Sequence, residues 1–123
     1  MSPGNPAIEV NTGTLLNALP DASHEEITET LIDTSQLRIE RIVSQGQCSA
    51  PGFWYQQPQA EWVCVLSGQG TIEFEDGQRH TLGPGDWLNI PTDARHRVAE
   101  TATGRTTVWL AVFYTEGPTA PAP

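Results

Sequence analysis

Short stretches with a two-residue alternation of apolar and polar positions recur along the chain, and turn-forming residues separate them. In GTIEFEDGQRHTL, strands over residues 70–75 and 78–82 are predicted to flank Asp76-Gly77, a pair suited to a tight turn that needs positive φ. A second turn, GPGD at residues 83–86, precedes the stretch WLNIP. Turn signals spaced by roughly 8 to 12 residues are typical of an all-β sandwich or barrel.

Two strand-like segments carry more apolar surface than one small barrel covers. The segment TTVWLAVFY, residues 106–114, is apolar on both faces and therefore needs cover on both sides. The segment LRIERIV, residues 37–43, adds a further surface of this kind. We therefore predict that the chain forms a homodimer, an assembly that commonly buries upwards of ~2,000 Å² when it is obligate.

Residues 23–44, SHEEITETLIDTSQLRIERIVS, allow two interpretations. Ser23, followed three residues later by Glu26, forms a capping box and favours a helix. The β-branched residues that follow, and a pattern mirrored across residues 33–36, favour a β-hairpin instead. We favour the two strands, with the helix as the alternative.

The chain of 123 residues has the length of one domain. Residues 1–20 are predicted to form a partly flexible N-terminal arm, residues 21–114 the barrel, and residues 115–123 a flexible tail, because both ends are rich in Pro, Gly and small residues. No apolar run approaches the ~18 residues of a membrane span. The N-terminus lacks the pattern of a secretion signal, so a cytoplasmic location is the default expectation.

The chain is acidic, with 15 Asp and Glu against six basic residues and a net charge of −9. Such a surface repels phosphate backbones, so neither nucleic acid nor an anionic membrane is an expected partner. All six basic residues are arginines, which excludes a Schiff-base lysine and a P-loop lysine. Cys48 and Cys64 form no C-x-x-C pair, and Cys64 is predicted to be a small buried hydrophobe.

Two motifs resemble those of the cupin family. The first reads Glu61, six residues, Gly68, and the second reads Gly85, DWLNI, Pro91, four residues, His96. The resemblance covers roughly residues 36 to 114 and implies an all-β fold, the double-stranded β-helix or jelly-roll barrel. Within the family the chain looks like a small single-domain member of the conserved-barrel type, a subgroup to which no reaction is attached here.

The chain departs from the family at the positions that usually bind metal. Metal-binding cupins carry His-x-His before the glutamate, and those positions fall here on Tyr55 and Gln57, or with the longer spacing on Trp54 and Gln56. In the second motif, Asp93 stands for the expected glycine and Glu100 for the expected asparagine. Of the four usual ligands, Glu61 and His96 are the two that this sequence retains.

Strand alternation gives these two residues a direction without reference to any family. Glu61 shares one face of its strand with Val63 and Val65, so it points into the barrel if the valines do. His96 shares a face with Val98, whereas the flanking arginines lie on the opposite face. A buried carboxylate requires a partner or a metal, because unpaired burial is costly.

These residues support a candidate site at the barrel mouth with two interpretations. His96, Glu61 and Gln57 are the predicted metal ligands, and an imidazole with oxygen ligands suits Mn, Fe, Ni or Zn. Alternatively, Glu61 and His96 only contact each other and close the mouth. Predicted ligand-binding residues are Trp54, Tyr55, Gln57 and Asp93: the aromatic rings for stacking, and Asp93 as an acid/base group or substitute ligand.

The sequence therefore predicts a barrel that binds a small molecule at its mouth, where a divalent metal (Mn, Fe, Ni or Zn) is a further candidate ligand. The alternative is a metal-dependent cupin enzyme, a dioxygenase, isomerase or lyase, with a weakly held ion. The missing His-x-His favours the binding protein over the enzyme. A glutamate and a histidine in one pocket are also suited to proton transfer, as in an isomerase or lyase.

Overall fold

The computed structural model describes residues 7–117, and within them the chain forms strands and no helix. The eight strands are β1 (Ile27–Asp33), β2 (Leu37–Ser44), β3 (Ala60–Ser67), β4 (Gly70–Phe74), β5 (Arg79–Leu82), β6 (Trp87–Ile90), β7 (His96–Thr101) and β8 (Thr107–Tyr114). The expected all-β class is confirmed.

The strands form two antiparallel sheets that face each other. The larger sheet has the order β1-β2-β8-β3-β6 and the smaller one the order β5-β4-β7. Consecutive strands pair in β1–β2 and β4–β5, whereas β8 lies between β2 and β3, from which it is distant in sequence. This is the jelly-roll arrangement of a double-stranded β-helix, which the sequence resemblance implied.

The core lies between the two sheets and is built by strand alternation. On β3, Val63 and Val65 face inward and pair with Ala111 and Trp109 of β8, which share that face. The smaller sheet contributes Ile72 of β4. Further buried members of the same core are Leu82, Ile90 and Phe113.

The segment from residue 23 onward is a hairpin, so the helix alternative is wrong. Ser23 does not cap a helix: its backbone N–H donates to Asp21 Oδ1 at 2.9 Å. Glu26 instead accepts a hydrogen bond from Ser44 Oγ at 3.3 Å. The β-branched residues of β1 pair with β2 from Ile27 to Asp33. Pairing within the sheet therefore overrides the local helix-capping pattern.

The predicted turns form where the glycines allow them. Gly77 has a φ of 96° between β4 and β5, as the turn at the Asp-Gly pair requires. The two strands are each one residue shorter at the turn than predicted, since β4 ends at Phe74 and β5 begins at Arg79. Gly85 has a φ of 88° in the GPGD turn. Gly68, the glycine of the first motif, has a φ of 85° between β3 and β4.

The outer face of the larger sheet is partly covered by the N-terminal segment. Arg41 of β2 donates to the carbonyls of Thr14 at 2.9 Å and Leu15 at 3.3 Å and pairs with Glu29. Farther along this face, Trp87 stays 62% exposed. The predicted homodimer would cover such surface, and it stays a prediction.

The ends of the chain are described in part. Thr115 donates to the Gln36 carbonyl at 3.0 Å, and Glu116 accepts hydrogen bonds from Thr92. Residues 1–6 and 118–123, which belong to the predicted arm and tail, lie outside the described residues, and the division into arm, barrel and tail stays a prediction. Nowhere in residues 7–117 is there a helix long and apolar enough to cross a membrane.

Gly68→Ala should destabilise the barrel more than Gly77→Ala, although both glycines have positive φ. A Cβ on Gly68 would lie 2.6 Å from the Thr107 Cα and 2.7 Å from the Thr106 carbonyl oxygen, whereas a Cβ on Gly77 meets nothing within 4 Å. Both changes carry a left-handed strain of about 1–2 kcal/mol, and Gly68→Ala adds an overpacking cost of about 1–3 kcal/mol. Chemical denaturation measures the difference, and equal losses would contradict it.

Candidate functional site

The barrel encloses a cavity of about 270 Å³ between its two sheets. Its wall includes the indole of Trp109 and the ring of Phe113. Polar side chains lie next to these rings, since Phe113 pairs with Arg38 on one neighbouring strand and with Glu61 on the other. The cavity thus combines apolar surface with a few directed polar groups. The lining residues also include Ile42, Val63, Ile72 and Val98.

Glu61 and His96 meet in this cavity from opposite sheets. Glu61 faces inward from β3, where it pairs with Ile90 and Phe113, and its exposed fraction is 9%. His96 begins β7 and is 4% exposed. The His96 Nε2 atom lies 3.5 Å from Glu61 Oε1. The alternation argument therefore placed both side chains on the correct face.

Local hydrogen bonds fix the orientation of the His96 ring. Its Nδ1 lies 2.9 Å from the Ala94 carbonyl oxygen; because a carbonyl oxygen can only accept a hydrogen bond, Nδ1 carries the hydrogen and donates it. The Nε2 atom then faces the cavity and Glu61. Tyr55 covers the ring, with the centroids 5.6 Å apart and the planes at 25°. The backbones of Tyr55 and His96 also bond each other in both directions, at 2.7 and 3.1 Å.

Both rings of this stack have shifted pKa values. Burial by itself would lower the pKa of His96, but the contact with Glu61 and the Ala94 carbonyl raise it, and the net shift is upward. Burial raises the pKa of the Tyr55 phenol, and the charges of Glu26 and Glu61 raise it further. The phenol is therefore a neutral donor at physiological pH, and the cavity mouth has a negative potential.

Gln57 lies beside the pair and belongs to the same cavity wall. Its side-chain Nε2 donates to Glu61 Oε1 at 3.3 Å. Its backbone carbonyl oxygen accepts a hydrogen bond from the backbone N–H of Asp93 at 2.9 Å. Because Tyr55 and Gln57 both line the cavity, they stand where metal-binding cupins carry His-x-His, as the shorter of the two spacings predicted. Neither Trp54 nor Gln56, the other option, lines the cavity.

Two predicted ligand-binding residues are placed away from the cavity. Trp54 points to the other side of its segment, where its ring lies 6.0 Å from the Arg97 guanidinium. Asp93 is exposed in a turn with a φ of 61°, so its side chain does not line the cavity either. The reason is local: alternation sends Trp54 away from Tyr55, and the turn before His96 fixes Asp93 by its backbone.

Three charged residues of the cavity were missed by the sequence reasoning. Arg38 and Glu40 of β2 enter the wall, with Arg38 Nε 2.9 Å from Glu40 Oε1 and its guanidinium 4.3 Å above the Phe113 ring. Glu26, just before β1, lines the entrance. The sequence does show that Arg38, Glu40 and Ile42 lie on one face of the strand. Both faces of LRIERIV carry apolar residues, however, so alternation alone could not show which face points into the barrel.

The donor set does not fit a resident transition metal. One imidazole, one carboxylate and one amide converge, and among residues 7–117 no group of three or more His, Cys, Asp or Glu side chains could hold an ion. Structural zinc sites have four protein ligands and catalytic ones three. The protonated Tyr55 phenol adds a poor ligand, and Arg38 adds positive charge. Metal binding therefore stays a prediction with little support from the geometry.

Comparison with known proteins gives one family and one fold. The model of the cupin domain family matches residues 40–113. A Ralstonia eutropha JMP134 protein, provisionally named a mannose-6-phosphate isomerase, is 46% identical with a TM-score of 0.83, over 87% of this chain and 100% of that one. The chain matches no curated protein.

More distant solved structures share the fold alone. A cupin superfamily protein from Desulfitobacterium hafniense DCB-2 has a TM-score of 0.70 at 15% identity, over 89% of this chain and 95% of that one. A cupin 2 conserved barrel domain protein from Leptotrichia buccalis has a TM-score of 0.66 at 17% identity, over 79% of this chain and 44% of that one.

Gln57→His should create a metal site where the parent chain has one imidazole and one carboxylate as strong ligands. The change adds an imidazole beside Glu61 and His96, so affinity for Ni or Zn should rise on the order of tenfold or more. Gln56→His is the matched control, because Gln56 is adjacent but outside the cavity wall. Isothermal titration of both variants, and of His96→Ala, measures this. Equal affinity in the two histidine variants would refute the placement of Gln57.

Glu61→Gln should lower the pKa of His96, because it removes the charge that raises that pKa and leaves the burial that lowers it. Proton NMR titration of the imidazole measures the shift. Glu100→Gln, at the far end of β7, makes the same change in net charge and should leave the His96 pKa where it is. A lower pKa in both variants would show that net charge, and not the 3.5 Å contact, is responsible.

Proposed function

The chain belongs to the cupin family, and from this premise we propose that it binds a small organic molecule inside the barrel without a resident metal ion. The observation that carries this proposal is the cavity of about 270 Å³, with an apolar aromatic wall and the Glu61–His96 pair directed into it. The pair, with Gln57 and Tyr55, supplies the few polar groups that orient a ligand in such sites.

The size of the cavity supports a ligand smaller than a drug-sized molecule. Small-molecule sites commonly have volumes of about 300–1,000 Å³, and this one lies near the lower limit. The rings of Trp109 and Phe113 suit an apolar or aromatic portion of the ligand. The His96 Nε2 and the Glu61 carboxylate suit a hydroxyl or another group that both donates and accepts hydrogen bonds.

The charges of the cavity support a neutral or cationic ligand. Three carboxylates line it, from Glu26, Glu40 and Glu61, against one guanidinium, from Arg38, which is already paired with Glu40. Phosphate sites usually gather several cationic or N–H donors. A sugar phosphate, which the name of the Ralstonia eutropha protein would suggest, is therefore a poor fit to this cavity.

A second candidate function is proton transfer on the bound molecule. The His96 Nδ1 is held by the Ala94 carbonyl, so Nε2 and the Glu61 carboxylate form an acid–base pair 3.5 Å apart that faces the cavity. Burial opposes protonation of His96, but the contact with Glu61 and the Ala94 carbonyl give a net upward shift of its pKa, which favours the acid form of the pair. An isomerase or lyase could use such a pair, whereas a metal-dependent cupin enzyme would need a larger donor set.

Benzyl alcohol should bind the cavity, and the larger side chain of Ile42→Phe should block it. An eight-atom ligand at about 0.5 kcal/mol per atom corresponds to a dissociation constant near 1 mM. Benzoate, of similar size with a negative charge, should bind at least about tenfold more weakly, because the three carboxylates repel it. Isothermal titration and ligand-observed NMR measure both affinities.

Ile39→Phe is the matched control for Ile42→Phe, because it lies on the same strand but outside the cavity wall. The control should bind benzyl alcohol as the parent does. Equal binding by Ile42→Phe and the parent would place the ligand elsewhere. No binding of benzyl alcohol up to about ten times the expected constant would overturn the proposal.

A further inference from the structure

Beside the cavity lies an open groove of about 470 Å³ that shares part of its wall with it. Glu26, Tyr55 and Val98 line both spaces, so the groove and the cavity are adjacent at these three residues. Phe53 lines the groove and not the cavity. We call the region formed by Glu26, Phe53 and Tyr55 the entrance.

Two aromatic rings at the entrance are unusually exposed for their size. Phe53 is 47% exposed and Tyr55 is 42% exposed, and their centroids lie 4.8 Å apart with planes at 89°. Tyr55 already stacks on the His96 ring, so the exposed part of this pair is the remaining surface of Tyr55 together with Phe53. Ring faces carry negative electrostatic potential and attract cations that lie within about 6 Å of the centroid.

The carboxylate of Glu26 adds a full negative charge to the same space. It accepts a hydrogen bond from Ser44 Oγ at 3.3 Å, and within residues 7–117 it pairs with no arginine or histidine. The Glu26 side chain is open to solvent, yet the surrounding walls remove part of its hydration and raise its pKa. Burial raises the pKa of the Tyr55 phenol, and the negative charges of Glu26 and Glu61 raise it further.

No arginine lines the described groove wall, whose titratable members are His24, Glu25, Glu26, Cys48 and Tyr55. Arg97 donates to the Ser49 carbonyl at 3.0 Å but is paired with Glu73. The one arginine of the adjoining cavity, Arg38, is paired with Glu40 at 2.9 Å. The entrance thus combines a carboxylate with two accessible rings, the chemistry that recognises ammonium groups.

We infer that the ligand is a small organic amine whose ammonium group is held at the entrance by Glu26, Tyr55 and Phe53 while its apolar part occupies the cavity. This inference rests on the proposed function, since it assigns the ligand class of the same cavity. The two parts of such a molecule match two features of the site: the acidic aromatic entrance, and the apolar side chains of Val63, Ile72 and Trp109 in the cavity wall.

The test compares benzylamine with benzyl alcohol, two probes of the same size that differ in charge. Benzylamine should bind roughly three- to thirtyfold more tightly, the combined effect of an exposed ion pair and a cation–π contact. Benzyltrimethylammonium, which cannot donate a strong hydrogen bond, should keep part of this preference through the rings. Raising the salt from about 20 mM to about 500 mM should reduce the preference.

Variants locate the preference in the entrance. Glu26→Gln should weaken benzylamine binding roughly three- to tenfold and leave benzyl alcohol unchanged, because it keeps the shape and removes the charge. Phe53→Leu should weaken benzyltrimethylammonium by roughly three- to fivefold. Glu100→Gln, with the same change in net charge at the far end of β7, is the control and should leave both affinities unchanged.

The outcomes separate this inference from the proposed function. If both probes bind the parent with equal affinity, the cavity binds small molecules but the amine inference is overturned. A preference for benzylamine that survives in Glu26→Gln would place the ammonium elsewhere and also overturn it. If neither probe binds, the proposed function fails and the inference fails with it.

Discussion

The barrel depends on two buried polar side chains that satisfy each other across the gap between its sheets. Glu61 belongs to the larger sheet and His96 to the smaller one, and both are almost wholly removed from water. Either group left alone would carry the desolvation cost of an unpaired polar side chain. Because the contact raises the pKa of His96, it stabilises the fold most below pH 6.5, the ordinary value, and this stabilisation declines as pH rises through the raised pKa.

The mouth of the cavity is organised around this contact. Tyr55 bonds the backbone of His96 in both directions and stacks on its ring, while Gln57 donates to Glu61. The segment before β3 has little regular structure of its own, so these bonds determine which of its side chains enter the cavity. The same bonds explain why Trp54, one residue from Tyr55, lies outside: a segment that is extended there alternates its side chains between two faces.

The sequence was sufficient for the fold and for the inward direction of Glu61 and His96, because both follow from local patterns. Turn residues set the strand boundaries, and alternation with valines set the faces. It was insufficient for Arg38 and Glu40, which enter the wall because β2 pairs with β8 over a large sequence separation and both of its faces contain apolar residues. The sequence also did not show that the Asp93 side chain lies outside the cavity. The backbone of Asp93 has a left-handed conformation, and its N–H donates to the Gln57 carbonyl. Local patterns do not encode such long-range register.

The charges that replace the missing histidines decide what the cavity accepts. Two neutral imidazoles at positions 55 and 57 would add metal ligands without adding charge. With Tyr55 and Gln57 there instead, Glu61 and His96 are joined by no third strong metal ligand among residues 7–117. The carboxylates of Glu26 and Glu40 then make the wall more acidic, and Arg38 offsets one of them. Among the described residues the cavity has too few ligands to suit coordination of an ion, whereas its carboxylates can attract positive charge through their field, as the proposal requires. That distinction, between coordinating a cation and attracting one, separates a metal centre from a site for an organic ammonium group.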